Sequence, residues 1–301
     1  MEKVLDSLIR VLSTAIDART PYNANHTRNI VHQASRFIDW MNETGQGIPF
    51  TPEKKRIFLM AAWLHDIGKL VTPIEIMDKS DRLGTERIIL QNRFERIKLL
   101  NYINYLHKDI TWDEYEKKDR ALSDAIRLVM SINEKKALTE EDRERIEQLR
   151  KSTYREENGQ EKPWINDRQY ELLMINKGTL TKSEREVMQA HVVYTQKLLS
   201  QVEFEGDYIN VEKWASMHHE KLDGSGYPKG LKGDEIPPEV RILTILDIFD
   251  ALTASDRPYK DADNIDTACS ILREMASAGQ LDKGLVELFI ESKVYNDRED
   301  T

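Results

Sequence analysis

Apolar residues recur at helical spacing along almost the whole chain. Val4, Leu5, Leu8, Leu12, Ala15 and Ile16 predict a first helix. Residues 24–43 predict a second, with His26, Ile30, Ala34, Phe37 and Met41 on one face. Thr51-Pro52 reads as an N-cap followed by proline at the first helical position. The helix it opens puts Ile57, Phe58, Ala61 and His65 on one stripe, so His65 should point inward. Asp66 follows about 100° further round, and Gly68 ends the regular helix just before Lys69. Pro73 marks an irregular crossing.

Beyond about Asp78 the character changes. Residues 78–177 are rich in charge and carry helix-start signals at Thr111-Trp112-Asp113-Glu114 and Thr139-Glu140-Glu141-Asp142. Around Tyr154–Pro163 the pattern turns polar and loop-like. This stretch is expected to be an inserted helical subdomain between two parts of one domain, 1–77 and 178–301. Thr181-Lys182-Ser183-Glu184 is a capping box, opening a helix with Val187, Met188, His191, Thr195 and Leu198 on one face. Val211, Trp214, Ala215 and His218 line the next helix, and a glycine-rich loop runs from Leu222 to Pro238. Val240, Leu243, Asp247, Ala251 and Ala254 share a face of another helix, and helices near 264–278 and 281–292 follow. The fold class is therefore all-α.

Composition narrows the function. Acidic residues outnumber basic ones, 53 against 44, for a formal charge of −9. That disfavours a nucleic-acid polymer as partner, because binding one needs a broad basic face. A small phosphorylated ligand needs only a few local cations. Cys269 is the single cysteine, so thiolate metal sites are excluded and a reducing, cytoplasmic setting is expected. No run of apolar residues is long enough to span a membrane, and the first residues read as a helix rather than a secretion signal.

The informative feature is the set of polar residues that fall on inward stripes: His26, His65 with Asp66, His191, His218 with His219, and Asp247. A lone histidine on an apolar face is more often a hydrogen-bonded core residue than a ligand. Seven such groups from five helices are harder to account for that way. Burying them unpaired would cost several kcal/mol each, and a bound cation removes that cost. The donors are all nitrogen and oxygen, and they exceed the needs of one ion. Two ions sharing a carboxylate fit better, with iron, manganese or zinc suiting the set more than magnesium or calcium. Such a pair can stabilise both oxygens of an in-line phosphoryl displacement. Hydrolysis of a phosphate ester is the chemistry that follows. A second stretch, His218-His219-Glu220-Lys221-Leu222-Asp223-Gly224-Ser225-Gly226-Tyr227-Pro228, sets a phenol on a stiffened loop beside two histidines. That arrangement suits gripping a substrate.

His65-Asp66-Ile67-Gly68-Lys69 and His218-His219-Glu220 running to Gly226-Tyr227-Pro228 resemble the two signatures of the HD-GYP family, a branch of the HD superfamily of metal-dependent phosphohydrolases. The resemblance covers roughly 1–77 and 178–292. It implies an HD-superfamily helical bundle, here with a helical insertion, and a binuclear metal site holding iron or manganese, with zinc or nickel as alternatives. It also implies phosphodiesterase activity on cyclic di-GMP. His26, His65, Asp66, His191, His218, His219 and Asp247 match the family's metal ligands, with Asp66 as the bridging carboxylate. Lys69 matches the lysine that faces the substrate phosphate, Arg257 and Lys260 match a basic pair near the phosphates, and Gly226, Tyr227 and Pro228 match the naming loop.

Two departures bear on the chemistry. Some members carry a glutamate one helical turn before the first histidine and bind a third metal, whereas Tyr22 stands there in this chain. Two metals and a linear dinucleotide product, rather than full breakdown to GMP, are the corresponding expectations. The second departure is the insertion itself, which replaces a short loop. The rival readings are a phosphohydrolase for another cyclic dinucleotide or nucleotide, and a non-catalytic module that binds cyclic dinucleotides. A homodimer, and a fusion to a sensory domain in a longer protein, are compatible with any of these. Among the other polar residues, His32 should miss the site, His107 should be at the surface, and Asp250 should be a hydrogen-bond partner rather than a ligand. Glu220 is left between orienting an imidazole and facing solvent.

Overall fold

The computed structural model describes residues 2–19, 25–253 and 264–296. Tyr22, Ala254, Arg257 and Lys260 lie outside the described residues. The chain divides into two compact units, one of residues 1–77 and 186–301, the other of residues 78–185. Both are helical, apart from one short hairpin.

The first unit begins with α1 (Glu2–Asp17), α2 (His26–Thr44) and α3 (Pro52–Leu64). Local signals set their ends. Thr51 accepts a hydrogen bond from the Lys54 amide, with Pro52 at the first helical position. Gly45 closes α2 in the left-handed region, and its amide bonds the Met41 carbonyl. After α3 a single 3-10 turn, Ile67–Val71, leads to the short α4 (Ile74–Met77).

In the second unit, α5 (Glu86–Leu106), α6 (Trp112–Glu134) and α7 (Glu140–Arg150) precede an antiparallel hairpin of β1 (Thr153–Arg155) and β2 (Glu161–Pro163). The hairpin occupies a stretch expected to be a loop. Its strands are three residues each and show no long apolar alternation to betray them. Next is α8 (Asp167–Leu173). The expected capping boxes at Thr111 and Thr139 are both formed. This unit has its own core, built on Leu90, Phe94, Ile97, Leu122, Val129, Ile146 and Leu173. Arg82 is fully buried in it and donates to the carbonyls of Ile175, Ile132 and Lys135, which satisfies the end of α6.

The expected single helix after Thr181 is two, α9 (Lys182–Gln189) and α10 (His191–Leu199), broken at Ala190. Then come α11 (Asn210–Ala215), α12 (Pro238–Thr253), α13 (Ile265–Ser277) and α14 (Lys283–Ser292). Within the first unit α2 packs on both α3 and α12, and α3 packs on α11. Phe37, Phe249 and Phe289 meet edge-on at the centre of its core, with ring centroids 5.5 and 5.1 Å apart. Each buried phenylalanine contributes on the order of 1.5–3 kcal/mol, and together they fix the helix faces that carry the polar cluster.

Candidate metal centre

The candidate ligands come from separate elements of the first unit. His26 opens α2, His65 caps α3, Asp66 precedes the 3-10 turn, His191 opens α10 and Asp247 lies within α12. His218 and His219 were expected on a helix. Instead α11 ends at Ala215, and both histidines sit in the turns that follow. All seven belong to one cluster, and all but the half-buried His219 are buried.

Two groups of ligand atoms can be distinguished. One is His26, His65 and Asp66; the other is His191, His218 and His219; within each the atoms lie within 4.8 Å of one another. Asp66 faces both. Its Oδ2 is 3.5 Å from His26 Nε2 and 3.3 Å from His65 Nε2. Its Oδ1 is 3.4 Å from His191 Nε2 and 3.9 Å from His218 Nε2. Asp247 spans the groups as well, with Oδ1 3.3 Å from His26 Nε2 and Oδ2 3.6 Å from His219 Nδ1. Lys69 Nζ donates to Asp66 Oδ2 at 2.6 Å.

The tautomers follow from hydrogen bonds to carbonyls three residues back. The Nδ1 atoms of His65, His191 and His218 are each 2.7 Å from the carbonyl oxygens of Ala62, Met188 and Ala215. A carbonyl only accepts, so each Nδ1 carries the proton and, in the neutral ring, Nε2 keeps its lone pair. Those three Nε2 atoms and Asp66 Oδ1 are buried and have no hydrogen-bond partner. Four orphaned acceptors in one cluster are costly in a protein interior. Divalent cations held by the two groups would satisfy them, and nitrogen with carboxylate oxygen suits iron, manganese or zinc. The residues present therefore fit a metal.

The rings differ in charge between the two groups. Burial pushes His191 down, His218 well down and His219 down to about 4, which keeps these rings neutral. Burial also opposes charge on His26, but hydrogen bonds to Asp247, Asp250 and Asp66 overcome it and raise that ring well above its ordinary value. Burial opposes the charge of Asp66 too, yet Lys69 and His65 hold its carboxyl well below the usual range. Asp247 is likewise held down against burial by His26, His219 and His218.

Around the ligands stands a supporting shell. Asp250 Oδ2 accepts from His26 Nδ1 at 2.7 Å, and Asn29 Nδ2 donates to Asp250 Oδ1 at 3.1 Å. Asp250 is thus a hydrogen-bond partner, as expected, while Asn29 carried no sequence signal. Thr195 Oγ1 donates to the His65 carbonyl and accepts from the Gly68 amide, both at 3.0 Å. Glu220 is buried and accepts from the amides of Lys229 at 2.7 Å and Leu231 at 2.9 Å, so it clamps the glycine loop. Gly226 sits where a Cβ would lie 2.4–2.6 Å from backbone atoms of His219, Glu220 and Lys221. That contact seats Tyr227, whose ring centroid is 4.7 Å from that of His219. Burial, then Asp247 and Asp66, push the Tyr227 phenol up, so it stays protonated. His107 is exposed.

Residues 167–285 match the model of the HD domain. The chain is 45% identical over 97 residues to a 3'3'-cGAMP-specific phosphodiesterase 3 of Vibrio cholerae, covering 32% of this chain and 20% of that protein. It is 42% identical over 101 residues to the cyclic di-GMP phosphodiesterase response regulator RpfG of Xanthomonas campestris, covering 33% of this chain and 26% of that protein. A cyclic di-GMP phosphodiesterase of Thermotoga maritima is 37% identical over 121 residues, 40% of this chain and 32% of that protein. The matches thus span about a fifth to a third of the length of these curated relatives. No helix among the described residues is long and apolar enough to cross a membrane. Residues 167–285 are thus similar to the HD domain, and the relatives matched are named as cyclic-dinucleotide phosphodiesterases.

Proposed function

We propose that this chain is a metal-dependent phosphodiesterase that hydrolyses cyclic di-GMP to the linear dinucleotide. Residues 1–77 and 178–301 would form the catalytic domain, and 78–177 an inserted helical subdomain. The observation that carries this reading is that His65 Nε2, His191 Nε2, His218 Nε2 and Asp66 Oδ1 are buried and unpartnered within two neighbouring groups of ligand atoms that Asp66 faces. His26, His65 and Asp66 would hold one divalent ion and His191, His218 and His219 the other, with Asp66 and Asp247 between them. Iron or manganese is the expected metal, with zinc or nickel as alternatives. When bound, such a pair supplies Lewis acidity toward phosphate oxygens and makes water a stronger nucleophile at neutral pH.

The chain's own residues would do the rest. The carbonyl bonds of His65, His191 and His218 keep those rings turned inward and in the ligand tautomer. Lys69, as an ammonium beside Asp66, offsets charge on the substrate phosphate. Gly226, Tyr227 and Pro228 present a protonated phenol and a tightly seated backbone to the dinucleotide. Arg257 and Lys260 are proposed to meet its phosphates. The reading is compatible with a cytoplasmic enzyme, a homodimer and fusion to a sensory domain.

A second substrate is favoured by one specific finding: the 45%-identical relative is named for 3'3'-cGAMP. Anaerobically purified protein loaded with manganese or iron, incubated separately with cyclic di-GMP, 3'3'-cGAMP and GMP, tests both readings by product mass. A linear dinucleotide from either cyclic substrate supports the reading and ranks the two. Tight binding without turnover in metal-replete protein would make the chain a binding module instead.

A further inference from the structure

We infer that Arg19 is a positioning residue for Lys69, acting through the backbone of the turn that carries it. This rests on the phosphodiesterase reading for its kinetic consequence, though not for its structural one.

Lys69 lies in the short 3-10 turn Ile67–Val71, which packs on α10 and α1. The Lys69 amide donates to the Asp66 carbonyl at 2.9 Å and the Thr72 amide to the Lys69 carbonyl at 3.1 Å. A single 3-10 turn has poor hydrogen-bond geometry and leaves carbonyls open at its end, so its position depends on what it is tied to. One tie is at its start, where Thr195 holds the His65 carbonyl and the Gly68 amide.

The other tie is at its end and comes from α1. Arg19 stands two residues past the end of α1, its amide bonded to the Ile16 carbonyl at 3.0 Å. Its guanidinium donates from Nη1 to the Lys69 carbonyl and from Nη2 to the Thr72 carbonyl, the latter at 3.1 Å. The planar fork of arginine suits two carbonyls spaced like this, whereas a lysine ammonium would serve them less well. Ile9 and Ile16 of α1 are buried in the core of the unit, so the arginine is mounted on a fixed support.

Between the two ties the Lys69 side chain reaches Asp66 Oδ2 at 2.6 Å. That oxygen is shared with His26 and His65, so a shift of the turn changes where positive charge stands relative to one candidate metal group. Small displacements of a charged group in such a site alter rate strongly, by as much as about 100-fold for 1 Å. Among the described residues, the hydrogen bonds of the Arg19 guanidinium go to the Lys69 and Thr72 carbonyls, neither of which is a candidate ligand atom. Arg19 acts only by holding the carbonyl side of the turn.

The test has two arms on the full chain. In metal-free protein, hydrogen exchange of a peptide covering 66–72 is compared between wild type and Arg19→Gln. Faster exchange there, with exchange over 218–231 unchanged, is expected; unchanged exchange over 66–72 would overturn the inference. In metal-loaded protein, Arg19→Gln, Lys69→Gln and the double variant are assayed on a cyclic dinucleotide. Arg19→Gln should lower kcat by about tenfold with metal content and KM nearly unchanged, Arg19→Lys should recover part of it, and the double variant should match Lys69→Gln. Losses that multiply, or a fall in KM-related binding alone, would overturn it. If wild type hydrolyses no cyclic dinucleotide, the function reading fails and the exchange arm alone decides the role of Arg19.

Discussion

Gly68 lies against His191 so closely that a Cβ on it would stand 1.9 Å from the His191 carbonyl oxygen and 2.5 Å from the Thr195 amide nitrogen. This approach brings the turn after His65 and Asp66 onto the start of α10, and so joins the two histidine groups. The obstacle is backbone on both counts and cannot swing aside. Gly68→Ala should therefore push α10 away, cost on the order of 1–3 kcal/mol and lower the metal content. Thermal melting with elemental analysis checks it. A variant that melts and loads like wild type would show that the turn and α10 have slack.

Asp66 is the carboxylate whose two oxygens face different histidine groups. Asp66→Ala should keep its helical content, because the apolar core holds the surrounding helices, but should melt lower because Lys69 loses its carboxylate partner. It should lose turnover by roughly 100-fold or more and bind less metal. Circular dichroism, metal analysis and a cyclic dinucleotide assay on one preparation separate these effects. Full activity in this variant would refute the assignment of the site.

Asp250 fixes the ring of His26 and is itself held by Asn29. Asp250→Asn should keep the shape of the pocket but weaken metal binding by about 10–100-fold, as removal of a partner behind a ligand usually does. Competition with a metal chelator measures it. A smaller effect would mean that Asp66 and Asp247 alone orient His26.

Glu220 clamps the loop that presents Tyr227, and its partners are two backbone amides. Glu220→Gln removes the charge that strengthens those bonds and keeps one acceptor oxygen. Its expected signature is a KM raised several-fold with metal content unchanged, read from steady-state kinetics and elemental analysis. Loss of metal would show instead that the loop supports His218 and His219.

The second unit offers a pH test. Lys135 and the Thr139 amide hold the Asp142 carboxyl down at about 2, below its ordinary 3.8. A depressed carboxyl contributes stability that is complete above about pH 4 and lost as pH falls toward 2. Because Lys135 is 38% exposed, solvent screening reduces the contribution to about 1 kcal/mol. Asp142→Asn should lower the melting temperature at pH 7 and flatten its fall between pH 4 and 2. A fall as steep as in wild type would assign the acid sensitivity to other groups.

Much of this was legible in the sequence, for identifiable reasons. The buried faces of α2, α3 and α12 repeat at 3.6 residues, so His26, His65 and Asp247 stand out as polar residues on apolar stripes. The capping boxes at Thr111 and Thr139 are local chemistry and needed no tertiary information. Other features depend on contacts distant in sequence. Thr195 reaches His65 and Gly68 across more than a hundred residues, and Asn29 meets Asp250 from another helix. The side chain of Glu220 is spent on backbone amides of its own loop, which no periodicity reveals. The break at Ala190 and the end of α11 before His218 were missed because the apolar spacing continues through both. A three-residue strand pair is too short for alternation to register.

Metal stoichiometry in anaerobically reconstituted wild-type protein tests the central claim most directly. The account predicts two divalent ions per chain, reduced in His65→Ala and in His218→Ala. A folded wild type that takes up no ion, or variants that take up as much as wild type, would contradict it.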